Sequence, residues 1–277
     1  MVKEKISGWI GSFRDSVDRV EQETTAYRKA SPKGHIDLQI FGVVILASVI
    51  LSIQDYYGSS SHWNTLEPLF SLFMDDAKGF LSGIFTKGKY ARLYRLWYWS
   101  GITVLTYMFL PFIWIKLVMR KRIRDYGFSV RGIMKHSWIY VSMFLIVLPA
   151  LFVVGHTESF QRTYPFYKEA GRSLFDFFGW EIAYVLQFLS LEFFFRGFLV
   201  HAFKQRFGYY SVLLAVMPYC MIHFGKPMPE TLGAIFAGIA LGTLSLFTRS
   251  IWLGVAIHVS VAVSMDLISL WLAGKLF

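Results

Sequence analysis

The sequence is poor in charged residues and nearly free of cysteine. Asp, Glu, Lys and Arg together make up 17% of its 277 residues, against about a quarter in soluble domains. The single cysteine, Cys220, excludes an intramolecular disulfide and any cysteine-rich metal site. The sequence also lacks an internal repeat, a low-complexity tract and a nucleic-acid-binding motif. These absences argue against a soluble enzyme, a disulfide scaffold, a coiled coil and a nucleic-acid partner.

Apolar and aromatic residues are abundant instead. Hydrophobic residues make up 55% of the chain, aromatic residues make up 18%, and the mean hydropathy is +0.46. A soluble chain of this length does not need so much apolar surface, whereas a chain that crosses the bilayer several times does. We therefore predict an all-α fold, a polytopic transmembrane helical bundle of about seven or eight membrane helices, with the lipid bilayer as its partner.

The apolar residues occur in runs that approach the length of a membrane-spanning helix, about 20 residues. The seven runs are 38–53, 96–118, 137–155, 180–201, 210–224, 230–247 and 251–273. We divide the chain into a polar N-terminal segment (1–36), N-terminal transmembrane helices with their loops (37–155) and C-terminal transmembrane helices that form a core (156–277).

The polar segment 1–36 contains a helical stripe of apolar residues. They recur at spacings of three and four, with charged residues opposite. Two interpretations stay open, an interfacial helix that lies on the membrane and a surface helix packed on its own protein. The stripe consists of Ile6, Trp9, Ile10, Phe13, Val17 and Val20.

The basic residues predict how the chain is oriented. The net charge is +10, and the Lys and Arg side chains cluster between the apolar runs, which favours a membrane protein over a nucleic-acid-binding one. With the N-terminus inside, the inner segments hold sixteen basic residues and the outer segments ten. The positive-inside rule then predicts a multi-pass protein of the plasma (inner) membrane with a cytoplasmic N-terminus.

One apolar run contains ionisable residues that call for an explanation. The run 180–201 carries Glu181, Glu192 and Arg196, and a charge at the bilayer centre costs roughly 3 kcal/mol on insertion scales. Glu192 and Arg196 are four residues apart, so they share a helix face and can pair. The pair is either a structural ion pair or an active-site carboxylate held by an arginine.

Two histidines lie in other apolar runs. His223 ends the fifth run and His258 lies in the seventh. One glutamate and two histidines can activate water, with the carboxylate as base and the histidines as orienting or oxyanion-stabilising groups. The same trio can also ligate zinc, although no His-Glu-x-x-His helix is present.

The order of these residues resembles a known protein family. Glu192-Phe-Phe-Phe-Arg196, then Tyr219-x-x-x-His223, then His258 are similar to the motifs of the CPBP family (CAAX protease and bacteriocin-processing, or Abi), a family of intramembrane glutamic endopeptidases. The resemblance covers about residues 180–270. It implies hydrolysis of a peptide bond near the membrane interface without a metal or other cofactor. The substrate would be a membrane-associated peptide or protein: a prenylated CAAX terminus, a bacteriocin-type leader or a C-terminal sorting tail.

The resemblance also implies a role for each matching residue. Glu192 is the base or the supporter of the base, and Arg196 is its ion-pair partner. His223 orients the attacking water, and His258 stabilises the oxyanion. Asp266, about two helical turns after His258, is a further candidate for the site.

Two positions depart from the family pattern. Leu191 stands where the family has the first of two glutamates, and Ala262 stands where it has an asparagine. Three possibilities follow: Glu192 takes over as base, another acid substitutes for the missing one, or the chain is a catalytically silent homologue that binds or scaffolds a partner. The candidate substitutes are Asp266, Glu181 and Glu230. A proton-coupled transporter with Glu192 and Asp266 as relay is a weaker alternative.

Overall fold

The computed structural model describes residues 2–30, 36–130 and 133–276, leaving out the side chains of residues 2–7 and Lys135. Every regular element within these ranges is a helix, and six helices are long and apolar enough to cross a membrane, which confirms the all-α polytopic prediction. The long helices, in chain order, are α1 (Val2–Ala30), α2 (Leu38–Tyr57), α3 (Ala91–Val118), α4 (Ile133–Gly155), α5 (Leu174–Phe207), α6 (Tyr210–Met221), α7 (Met228–Thr248) and α8 (Trp252–Leu272).

Short helical segments join these helices. Between α2 and α3 the chain forms Trp63–Leu66, Glu67–Phe70, Ala77–Ser82 and the π-helical Gly83–Lys87, which pack around Leu81, Phe85 and Tyr98. The remaining short segments are Ile123–Tyr126, Glu158–Thr163 and Ala170–Arg172.

Helix α6 differs most from the span predicted for its part of the sequence. The fifth apolar run covers 210–224, yet the helix has only 12 residues, or about 18 Å of rise. The chain turns after Met221, and Gly225 adopts a left-handed φ of +88° that a glycine tolerates without a steric cost. Pro227 follows and cannot continue a helix. His223 therefore lies in a turn.

The chain divides into two compact units built from alternating segments of the sequence. The first unit comprises Met1–Ala47, Pro111–Tyr140 and Glu192–Val255, and the second comprises Ser48–Leu110, Val141–Leu191 and Ala256–Phe277. Helices α2, α3, α4, α5 and α8 contribute residues to both units.

In the first unit, α1 packs on the C-terminal part of α5 and on α7. Phe13 of the apolar stripe meets Phe247, with ring centroids 5.9 Å apart. Glu23 forms ion pairs with Lys204 at 3.3 Å and with Arg249 at 2.7 Å. These contacts favour the interpretation of α1 as a helix packed on its own protein.

In the second unit, α5 and α8 run antiparallel around an aromatic core. Phe188 of α5 lies against His258 of α8, with ring centroids 4.6 Å apart. Trp180, eight residues before Phe188, donates a hydrogen bond to Asp266, which is eight residues after His258. The buried core residues around these helices are Leu93, Leu96, Tyr167, Ala170, Phe177, Trp180, Ala183, Tyr184, Ala262 and Leu270.

We expect the Thr24→Val substitution to destabilise the first unit. The Thr24 hydroxyl is fully buried and lies 2.8 Å from the carbonyl oxygens of Val20 and Lys204, so it joins α1 to α5. Valine keeps the shape and removes the donor, which lowers the free energy of unfolding by about 1–2 kcal/mol. Thermal unfolding of the purified protein in detergent measures the change.

Ser12→Ala is the matched control. The Ser12 hydroxyl donates to the Gly8 carbonyl within α1 itself, so its loss changes the unfolding free energy by less than about 0.5 kcal/mol. Equal effects of the two substitutions would contradict a tethering role for Thr24.

Candidate active site

The Glu192–Arg196 pair predicted from the four-residue spacing is present on α5. Both side chains are buried, with exposed fractions of 0% for Glu192 and 2% for Arg196. Nε of Arg196 lies 3.5 Å from Oε1 of Glu192, which is an ion-pair distance but longer than an ordinary charge-assisted hydrogen bond. The guanidinium therefore neutralises the carboxylate within an apolar helix without a close hydrogen bond at Nε.

The helix changes from α to π geometry directly after Glu192. Residues Phe193–Leu199 are π-helical, and all seven are buried. π-helical turns are rare in proteins and occur frequently at functional sites. Gly197 in this turn is required by packing, because a Cβ there would lie 2.7 Å from the carbonyl oxygen of Tyr126.

Tyr219 connects the ion pair to His223 within the first unit. The guanidinium carbon of Arg196 lies 3.7 Å from the centroid of the Tyr219 ring, a close cation–π contact. On the same tyrosine, the His223 ring packs edge-on with centroids 4.7 Å apart. The structure thus brings Glu192, Arg196 and His223 together through an aromatic side chain.

The hydrogen bonding of His223 assigns its tautomer. Nδ1 lies 2.8 Å from the carbonyl oxygen of Tyr219. A carbonyl oxygen only accepts, so Nδ1 carries the proton and donates it. In the neutral ring Nε2 is then the basic nitrogen, which suits it to accept a hydrogen bond from water.

Gly254 provides space for the Glu192 carboxylate at the beginning of α8. An ideal Cβ on Gly254 would lie 2.8 Å from Oε2 of Glu192, closer than real Cβ contacts. The carboxylate therefore rests against the backbone of the first turn of α8, and the partial positive charge of a helix N-terminus favours an anion there.

His258 and Asp266 belong to the second unit. Asp266 is fully buried and accepts a 2.7 Å hydrogen bond from Nε1 of Trp180 at Oδ2. Asp266 is thus part of a hydrogen-bonded contact between α5 and α8. His258 packs on Phe188 and lies one turn before Ala262 on the same helix.

Ala262 and the remaining candidate acids have distinct surroundings. Ala262 has an exposed fraction of 3% and lies in the aromatic core of the second unit. Glu181 is buried, and neither of its carboxylate oxygens has a hydrogen-bond partner among the residues that the structure describes. Glu230 forms an ion pair with Lys226 at 2.6 Å.

The described part of the chain contains no group of three or more His, Cys, Asp and Glu side chains arranged to hold a metal ion.

The contacts of two residues in this arrangement could not be predicted from the sequence. Tyr219 is recognisable as part of the histidine motif, but its contact with Arg196 depends on how α5 and α6 pack. Gly254 carries no chemical group, and its only signal in the sequence is its position one turn before His258. In both cases the role arises from a contact between helices that are distant in sequence.

The fold and these residues define a class of protein. The chain is an all-α, integral multi-pass membrane protein with a buried carboxylate, arginine and histidine in its C-terminal half. Residues 173–264 match the family described as type II CAAX prenyl endopeptidase Rce1-like, a match that covers one third of the chain and confirms the resemblance to the CAAX protease family. No curated protein and no solved structure gives a significant match.

We expect Trp180→Phe to destabilise the second unit strongly. The substitution removes the donor to a fully buried carboxylate and leaves a gap in the aromatic core, which together lower the unfolding free energy by about 2–4 kcal/mol. The measurement is thermal unfolding in detergent.

Trp97→Phe serves as the control, because Nε1 of Trp97 also donates a hydrogen bond, to the Gly179 carbonyl at 2.9 Å, but at an exposed position. If both tryptophan variants lower the free energy of unfolding equally, the contacts of Trp180 with Asp266 and the aromatic core do not stabilise the second unit in particular.

Proposed function

We propose that the chain is an intramembrane endopeptidase that hydrolyses a peptide bond near the membrane interface. The observation that carries this proposal is the fully buried Glu192, which forms an ion pair with Arg196. The Tyr219 ring contacts both Arg196 and His223 and so connects this pair to the histidine. The family match supports the same class of reaction.

The energetic cost of this arrangement favours a functional role. Removing two charges from water costs several kcal/mol per ion, and apolar replacements of similar volume are often as stable or more so. An intramembrane charge is therefore a functional-site hypothesis by default. Directly after Glu192 the helix buries three apolar side chains, those of Phe193, Phe194 and Phe195.

The proposed reaction uses water as the nucleophile. Nε2 of His223 accepts a hydrogen bond from the water and orients it, and Glu192 takes a proton from that water as its oxygen adds to the carbonyl carbon. The carbon–nitrogen bond then breaks, and the proton passes from Glu192 to the leaving amine. Arg196 keeps the carboxylate neutralised before and after the transfer.

His258 is proposed to donate a hydrogen bond to the oxyanion of the tetrahedral intermediate. This role rests on the third family motif alone. Asp266 is proposed to act indirectly, by holding α8 through its bond to Trp180, and not as the base.

The substrate is proposed to be a membrane-associated peptide, of which a prenylated CAAX terminus is the first choice. The description of the matched family names CAAX prenyl endopeptidases, and that class of substrate places a C-terminal peptide at the membrane surface. The N-terminus is proposed to be cytoplasmic, from the Lys and Arg distribution.

A catalytically silent homologue is the second candidate, and Ala262 favours it. Where the family motif has a polar asparagine, this chain has a methyl group inside an aromatic core. Such a protein would bind the same peptide without cleaving it.

We expect Glu192→Gln and His223→Ala each to abolish cleavage of a prenylated CAAX reporter peptide by the purified protein in proteoliposomes. The first variant removes the base, and the second removes the group that orients the water. A positioned general base raises the rate of the chemical step by at least about 100-fold. Product release is followed by mass spectrometry.

Two controls match these variants closely. Glu158 pairs with Arg162 at the same four-residue spacing but is exposed, so Glu158→Gln keeps full activity. His156 resembles His223 in its hydrogen bond, since its Nδ1 lies 2.8 Å from the carbonyl oxygen of Phe152, four residues earlier, but His156 is exposed. We therefore expect His156→Ala to keep full activity as well. Full activity of both site variants would exclude the proposed chemistry. A wild type that binds the reporter without cleaving it would establish the silent homologue.

We expect Gly254→Ala to reduce kcat/KM by about 10–100-fold with little loss of stability. The new methyl group displaces the Glu192 carboxylate, and misplacing a catalytic group by about 1 Å costs up to about 100-fold. Gly233→Ala is the control, because a Cβ at Gly233 meets nothing within 4 Å. Both variants gain the same helix propensity, so equal activities would show that Gly254 does not position Glu192.

A further inference from the structure

The first unit contains a polar cavity that is distinct from the Glu192 group. Its volume is about 330 Å³, and it lies between α1, the segment that follows α3 and the C-terminal end of α5. Charged side chains form much of its wall: Glu23, Lys121, Asp125 and Lys204.

The carboxylates in this wall already have cationic partners. Arg122 donates to both carboxylate oxygens of Asp125 at 2.9 and 3.0 Å, which lowers the pKa of Asp125. Glu23 pairs with Lys204 and Arg249. The wall itself holds two carboxylates and two lysines, and Arg122 and Arg249 pair with the carboxylates from outside the wall, so the cavity favours an anionic ligand.

The two lysines can bind a further acceptor. An ammonium group has three donors, and Lys204 is bonded to Glu23 at 3.3 Å. Lys121 forms no ion pair with any residue in the described ranges. A phosphate group between these lysines would satisfy donors on both.

His201 also belongs to the wall, and its hydrogen bond to Ser245 assigns its tautomer. The hydroxyl of Ser245 donates to the carbonyl of Arg196 at 3.0 Å, so the 3.2 Å contact from Nε2 of His201 to Ser245 is a donation by the histidine. Nδ1 is then an acceptor. It is buried and has no hydrogen-bond partner within the part of the chain that is described.

We propose that this cavity binds a phosphoglycerol group, supplied by the headgroup of an anionic phospholipid. The phosphate would lie between Lys121 and Lys204, and the glycerol hydroxyls would donate to the carboxylates of Glu23 and Asp125. The cavity lies where α3 and α5 end and the basic segment 120–124 follows, which is the level of lipid headgroups on the proposed cytoplasmic side. This proposal does not depend on the proposed protease activity.

The first test compares ligands on the purified, delipidated full-length protein in a neutral detergent. The midpoint of thermal unfolding is followed by tryptophan fluorescence during titration with phosphatidylglycerol, phosphatidylethanolamine, phosphatidylcholine or glycerol 3-phosphate. A ligand of the folded state raises this midpoint. We expect phosphatidylglycerol to give the largest shift at the lowest concentration.

The second test uses Lys121→Gln, with Lys78→Gln as the control. Lys121 is exposed, so the substitution leaves the fold intact, and Lys78 is an exposed lysine of the second unit. We expect Lys121→Gln to need about fivefold more phosphatidylglycerol for half of the shift, since one lysine contributes roughly that factor near an anionic headgroup. Lys78→Gln should titrate like the wild type.

Three outcomes would overturn the proposal. An unchanged titration of the Lys121 variant would exclude this cavity as the binding site. Equal shifts with phosphatidylethanolamine would exclude selection by charge. An equal shift with glycerol 3-phosphate would identify a soluble phosphate ester, and not a lipid, as the ligand.

Discussion

The arrangement of the C-terminal half depends on how one buried charge is accommodated. Glu192 lies in an apolar membrane helix, where its negative charge requires a neighbouring cationic side chain and enough space for the carboxylate group. Arg196 supplies the cation from the next turn, Tyr219 covers the guanidinium, and Gly254 leaves the room. A tyrosine held in this way then fixes His223 through its own carbonyl and ring.

The fold class follows from the sequence because the bilayer leaves few choices. A chain so rich in apolar residues must satisfy its backbone within each segment, and helices do this. The six long helices therefore lie close to the predicted apolar runs. The fifth run misled the prediction, because hydropathy records apolar length and does not record that α6 ends at Met221, before a turn that contains Gly225 and Pro227.

The candidate site was predictable only in part, for a similar reason. Spacing along one helix predicts the Glu192–Arg196 pair, because residues four apart share a face. The contact of Arg196 with Tyr219 and that of Glu192 with Gly254 join helices that are distant in sequence. Such contacts depend on helix packing, which no pattern within a single helix contains. Gly254 in particular acts through the absence of a side chain, and motif analysis has no means of marking it.

Both departures from the family pattern, Leu191 and Ala262, lie in the second unit, as does the matching residue His258. The matching residues Glu192, Arg196, Tyr219 and His223 form one connected polar and aromatic group in the first unit. Ala262, the departing position of the third motif, lies in the apolar core of the second unit. A buried ion pair in a membrane helix is often no more stable than apolar side chains of the same volume. The presence of this pair beside His223 supports the proposed use of the carboxylate.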